Sequence, residues 1–134
     1  MRMGVLAVSF FFMVLLTCVG GAEFAFKQGT NPQRKNVELL KIAEKLNPFV
    51  SDYFYEDYRL TGDIKALRQA IVLEPTKPSY HMYYGLALMK QQQPRTYLGD
   101  QEAVTEICKA VQLKPYSQQY KDTCNQFRKI IPGS

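Results

Sequence analysis

The chain of 134 residues has no tryptophan, one histidine and three cysteines. A lone His81 cannot supply the usual zinc donor set, which draws several His, Cys or carboxylate ligands to close spacing, so no metal is expected. His81 is expected to pack on its own helix or to face solvent. The eight glycines never gather into a phosphate-cradling loop: Gly20-Gly21 ends an apolar run and Gly62 marks a turn. None of Ser9, Ser51, Ser79, Ser117 and Ser134 lies in a nucleophile elbow, and adjacent carboxylates such as Glu56-Asp57 suit an ordinary exposed helix face. The formal net charge of +5 is spread thinly. Arg34-Lys35 and Arg128-Lys129 are its only adjacent basic pairs, whereas a nucleic-acid surface needs a dense stripe. No sustained strand alternation occurs. The expectation is a non-enzyme without cofactor, nucleic acid or evident small-molecule substrate.

Charge is absent altogether from Met3 to Ala22. Twenty helical residues rise about 30 Å, enough to cross a bilayer core. Arg2 before the run and Glu23 after it favour a cytoplasmic N-terminus, with the rest of the chain outside as a periplasmic or extracellular domain. The run can act as a retained single-pass signal anchor. Alternatively, the small residues Gly20-Gly21-Ala22 allow cleavage near Ala22 and secretion. Leu15-Leu16-Thr17-Cys18 is a poor match to a bacterial lipidation site. Beside an anchor, Lys27, Arg34 and Lys35 suit weak contact with anionic headgroups. The expected organisation is residues 1–26 as anchor or signal peptide, 27–35 as linker and 36–134 as a helical domain.

What the remainder contains is a repeat. Ala-x-x-Leu-x-Pro-x-x-x-x-Tyr occurs as Ala43, Leu46, Pro48, Tyr53, again as Ala70, Leu73, Pro75, Tyr80, and a third time as Ala110, Leu113, Pro115, Tyr120. The second copy follows the first by 27 residues and the third follows by 40. Periods of this size mark stacked helical units that bury their apolar faces on one another. Ala and Leu three apart share a helix face, Pro two residues on stops the helix, and the following segment turns into the next one. Ser51 and Ser117 are expected N-caps, and Pro78 suits a first helical turn. Helices are expected over 36–46, alone, then 52–61 and 63–73 as one hairpin turned by Thr61-Gly62-Asp63, then 79–90 and 100–113 as the next, and last 118–130 as a closing helix, ended by Pro132-Gly133. Lys121, Asp122, Gln126, Arg128 and Lys129 fit the polar outer face of a terminal unit. Residues 91–100 read as a mobile loop open to proteolysis after Arg95.

The segment Tyr80-His81-Met82-Tyr83-Tyr84-Gly85-Leu86-Ala87-Leu88, followed by Ala103, Ile107, Ala110 and Pro115, resembles a tetratricopeptide repeat (TPR). The resemblance covers roughly residues 37–131. It departs at the loop before residue 100, about six residues too long, in the short helix from Asp63 to Leu73, and at Tyr58, where a close-packing Gly is expected. It implies an all-α fold of antiparallel helical hairpins in a short TPR-like solenoid, and a protein partner, a peptide or helix, on the face lined by the first helix of each pair. By that resemblance Tyr55 and Arg59, with Met82, Tyr83, Leu86, Met89 and Lys90, contact the partner; the plain alternative packs Met82, Leu86 and Met89 on a neighbouring helix.

Cys108 and Cys124 stand about eight residues either side of a turn centred near residue 116, so consecutive antiparallel helices place them opposite each other. Either a disulfide, feasible in an exported domain, or two small buried thiols would follow.

The expected function is a membrane-anchored extracytoplasmic adaptor that assembles a membrane or envelope complex. Its rivals are a structural accessory subunit of a large membrane complex and a non-catalytic partner in envelope polysaccharide assembly. The latter rests on the pattern Leu113 to Ser117, which is similar to the soluble tails of polysaccharide polymerases.

Overall fold

The computed structural model describes residues 2–31, 36–91 and 96–129, with side chains from residue 11 onward except Tyr97. All regular structure among them is helical: α1 (Arg2–Gly29), α2 (Val37–Leu46), α3 (Ser51–Thr61), α4 (Ile64–Leu73), α5 (Pro78–Gln91), α6 (Tyr97–Leu113) and α7 (Gln118–Arg128). The helices fall into two compact units, Met1–Gly62 and Asp63–Ser134. Arg34, Lys35, Arg95, Pro132 and Gly133 lie outside the described residues, and with them part of the expected headgroup contact, the expected proteolysis site after Arg95 and the final helix stop.

The three copies of the repeat motif build one local structure. Each helix ends when the residue before Pro leaves the helical conformation, at Asn47 (φ −143°, ψ 86°), Glu74 (φ −139°, ψ 75°) and Lys114 (φ −138°, ψ 75°). The Cδ of the following Pro clashes with an α-conformation there, which imposes the break. Each of these residues still donates its N–H to the motif Ala, at 2.9 Å to Ala43, 2.9 Å to Ala70 and 3.0 Å to Ala110, so little hydrogen bonding is lost. Pro78 opens α5, and Ser117 caps α7 by accepting from the Tyr120 N–H at 3.4 Å. Ser51 does not cap α3. Val50 holds that position without a side-chain bond, and Ser51 is already helical. Between α3 and α4, Gly62 takes φ 76°, and Asp63 caps α4 by accepting from the Lys65 N–H at 2.9 Å. Helix α6 starts three residues earlier than expected because the Thr96 hydroxyl accepts from the Gly99 N–H at 3.3 Å.

The first unit differs most from expectation. Helix α2 is not alone: α1 continues unbroken from the apolar run to Gly29, and its last three turns form an antiparallel hairpin with α2. The pairing is read from small residues. A Cβ on Gly29 would stand 3.0 Å from the Leu40 nitrogen, and one on Gly21 would stand 3.4 Å from the Leu46 side chain. Ala22 and Ala25 are buried with Leu40, Ala43 and Tyr53, and Phe26, Val50 and Leu60 pack against them. The Phe26 and Tyr53 rings lie 4.7 Å apart. Lys41 of α2 links Glu44, at 3.4 Å, to the fully buried Asp57 of α3. Burial alone would lower the Lys41 ammonium, but the hydrogen bond to Asp57 and the charges of Glu44 and Asp57 outweigh it and hold its pKa above the ordinary value.

In the second unit α5, α6 and α7 form consecutive antiparallel pairs. Gly85 sets the α5–α6 distance: a Cβ there would stand 2.5 Å from the Ala103 carbonyl oxygen and 2.6 Å from Ile107. Ala103, Ile107 and Ala110, three of the residues that carry the TPR resemblance, are fully buried. Cys108 of α6 and Cys124 of α7 are joined as a disulfide, with Cα atoms 5.0 Å apart. Cys18 is free.

Candidate functional site

Helix α5 presents two faces. One is sealed. Tyr80 and His81 are fully buried, and Gly85 and Ala87 are also buried. Met82 joins Ile107, Ala110 and Cys124, and Met89 joins Ala103 and Val104. Of the residues expected to meet a partner, Met89 is therefore core and Met82 lies mainly in it. Tyr83 is 41% exposed, Leu86 is half-buried and Lys90 is exposed. Tyr55 (half-buried) and Arg59, which donates to Glu56 at 2.8 Å, belong to the first unit.

The second face of α5 meets α7 in a cleft of about 150 Å³ lined by Ser79, Met82, Tyr83, Leu86, Gln119, Tyr120 and Thr123. Met82 and Leu86 form its apolar base. The two tyrosines and the Ser, Gln and Thr side chains surround it with hydrogen-bonding groups and no charge. The α7 wall was not expected from the sequence. Tyr120, the third motif Tyr, is half-buried where Tyr53 and Tyr80 are fully buried. No later helix among the described residues covers it.

The α5 register is held by a buried latch. His81 is neither exposed nor packed only on its own helix. Its Nδ1 lies 2.6 Å from Glu106 Oε2 of α6, and its Nε2 lies 2.8 Å from the Pro75 carbonyl in the turn after α4. Both ring nitrogens face acceptors, so one side chain ties two helices and a turn. Beside it, burial first and the Glu102 and Glu106 carboxylates next push the Tyr84 hydroxyl pKa up, partly opposed by Arg68. At the start of α5, the Lys77 ammonium lies 4.7 Å from the Tyr80 ring centre and donates to its hydroxyl at 3.0 Å. These groups position α5 and offer no nucleophile to the His–Glu pair. No cluster of three metal-ligating side chains occurs among the described residues.

A second depression, about 330 Å³, lies beside the disulfide and is lined by Val111, Gln112, Lys121, Asn125 and Arg128 together with the two cysteines. It is more open than the α5–α7 cleft, carries the charges of Lys121 and Arg128, and has no aromatic side chain in its lining.

No family model and no curated protein matches the chain. Among solved structures, the Arabidopsis OM64 TPR domain superposes with a TM-score of 0.70 over 85% of this chain and 99% of that one, at 17% identity. The likeness is one of fold: the chain has a TPR-like arrangement of helical hairpins. One N-terminal helix is long and apolar enough to cross a membrane by length and composition.

Proposed function

We propose that this protein is a membrane-anchored TPR-like adaptor that holds a short segment of a partner protein in the α5–α7 cleft. The observation that carries this reading is the exposed Tyr83 above an apolar base, on a helix whose other face is sealed by Gly85, Ala87 and the His81 latch. A rigid aromatic with a polar tip on a fixed helix is the usual anchor of a small recognition site. A cleft of this size accommodates one or two side chains of a peptide or helix, so affinity is expected to be modest.

Retention of the N-terminal segment is supported by the packing of α1. Ala22 is fully buried in the first hairpin, and cleavage after it would remove Gly21 and Ala22 from the surface that covers Leu40, Ala43 and Leu46. The alternative of secretion after cleavage near Ala22 therefore has a structural cost. The extracytoplasmic placement of the repeats rests on Arg2 preceding the run and on the Cys108–Cys124 pair, which an oxidising compartment would keep bonded. Assembly of a membrane or envelope complex is the process such an adaptor fits.

The test is a photo-crosslinking residue at Tyr83 in the full chain, with a second at Tyr116, which is 95% exposed and outside the cleft. A discrete crosslinked partner from position 83 and none from 116 is expected. Tyr83→Ala should weaken binding of that partner by more than about 1 kcal/mol with little change in melting temperature. Lost stability with unchanged capture would assign Tyr83 to packing and overturn the cleft as the site.

A further inference from the structure

Helix α1 has no break between its apolar run and the first hairpin. Met3 to Gly20 are the residues of that run ahead of the α2 contact. These 18 residues rise about 27 Å, close to the thickness of a bilayer core at about 30 Å. The hairpin contact then begins at once, at Gly21 against Leu46. The space for a spacer between membrane and hairpin is therefore small. Because α2 runs antiparallel to α1, its C-terminus and the α2–α3 turn return to the level where the run ends.

That turn carries unpaid apolar surface. Phe49 is 81% exposed and Leu46 is 39% exposed. Phe24, two residues past the run on α1, is 66% exposed. Lys45 and Pro48 are exposed beside them. Glu23, the first acid after the run, pairs with Lys27 at 3.9 Å, further from the run. An aromatic and an aliphatic side chain next to a lysine are the composition of a segment that lies in a headgroup layer: the rings enter the acyl boundary and the ammonium reaches phosphate.

Accordingly, we infer that the α2–α3 turn is a second membrane contact, in which Phe49 and Leu46 insert into the interface beside the α1 anchor and Lys45 faces the headgroups. This rests on the proposed retention of α1 as an anchor. The lipid surface is favoured over a protein as the occupant because the patch stands at the level where the apolar run ends. The contact would fix the tilt of the first hairpin, which one helix spanning a bilayer leaves free to rotate.

The absence of tryptophan allows a direct test. Three single variants of the full chain, Phe49→Trp, Phe12→Trp and Gln28→Trp, are reconstituted in phosphatidylcholine–phosphatidylglycerol vesicles with and without brominated acyl chains. Phe12 lies inside the run. Gln28 is exposed on α1, about 10 Å beyond Gly21. Strong quenching is expected at position 12, a blue-shifted and clearly quenched emission at 49, and red-shifted, unquenched emission at 28. Quenching at 12 with none at 49 would overturn the turn contact and leave the anchor standing. Equal quenching at 28 and 49 would overturn it too, since the hairpin would then lie flat. No quenching at 12 would remove the anchor, and the inference with it.

Discussion

At the residue scale, Gly85 and Lys41 carry the most consequence for their size. Gly85 is required by proximity: its φ is helical, but α6 backbone occupies the place of a Cβ. Gly→Ala in an exposed helix would favour the fold by about 1 kcal/mol through helix propensity. Here the overlap reverses the sign. Gly85→Ala is expected to destabilise by about 1–3 kcal/mol or more, read as a lower melting temperature in circular dichroism. An unchanged or raised value would mean that α5 and α6 do not approach this closely. Lys41 neutralises the buried Asp57. Breaking a fully buried pair costs about 3–5 kcal/mol. With the Lys41 side chain 44% exposed, Lys41→Met should cost about 1–2 kcal/mol, and Asp57→Asn in the same background should recover part of it.

The alkaline response belongs to the same residues. Lys41 binds its proton more tightly in the folded chain than its ordinary value of 10.5. Tyr53 likewise holds its proton above 10.0, first through burial and then through the nearby Glu23 carboxylate. A raised folded pKa contributes stability that is fully present below the unfolded value and is lost as pH rises through the folded one. The first unit should keep its stability up to about pH 10 and lose it above, and Lys41→Met should flatten that slope. A pH titration of melting temperature that is equally steep in the variant would exclude Lys41 as a source.

At the scale of elements, α7 is the most dependent on a single bond. Its buried contribution is small: Cys124 is buried, with Tyr120 and Phe127 partly so. The disulfide closes a separation of 16 residues, worth about 3 kcal/mol in the chain-entropy account. Reduction, or Cys108→Ser, is expected to loosen α7 and open the cleft that α7 walls. Hydrogen exchange should report faster amides over 118–128 with α5 and α6 little changed. Equal loss across all three helices would mean that α7 is integral to one cooperative core. The cleft was only half legible in sequence for the same reason. Tyr83 and Leu86 were placed by repeat register, but which turn of α7 would lie beside them depends on how α6 and α7 cross. Met82 and Met89 follow the same logic in reverse. Their helical spacing fits a groove and a core equally well, and the proximity of α6 decided for the core.

At the scale of the whole molecule, the N-terminal helix is the element with two roles. A chain beginning at Glu23 would keep Ala25 and Phe26 but lose Gly21 and Ala22 from the first hairpin. It is expected to unfold over residues 23–62 at lower denaturant than the full chain in detergent, while residues 63–134 keep their midpoint. Hydrogen exchange by region distinguishes the two. Coincident, unchanged unfolding would mean that the run is dispensable and would favour cleavage near Ala22.

The C-terminal ends of α2, α4 and α6, the turn at Gly62 and the apolar run were already legible in the sequence, because each rests on short-range physics. Pro48, Pro75 and Pro115 forbid the α-conformation one residue earlier. Gly62 accepts a left-handed turn, and a charge-free run cannot face water along its length. Residues that act through distant partners were decided only by tertiary structure. Gly21, Ala22 and Ala25 read as the tail of an anchor, and Gly29 as linker, until α2 folds back onto them. His81 reads as a lone polar side chain until Glu106, 25 residues on, meets its ring. Phe49 reads as a turn residue until antiparallel pairing returns it to the end of the run. Local sterics act over a few residues and are visible in any window of the chain; burial is set by whichever surface arrives opposite, and that surface is distant in sequence.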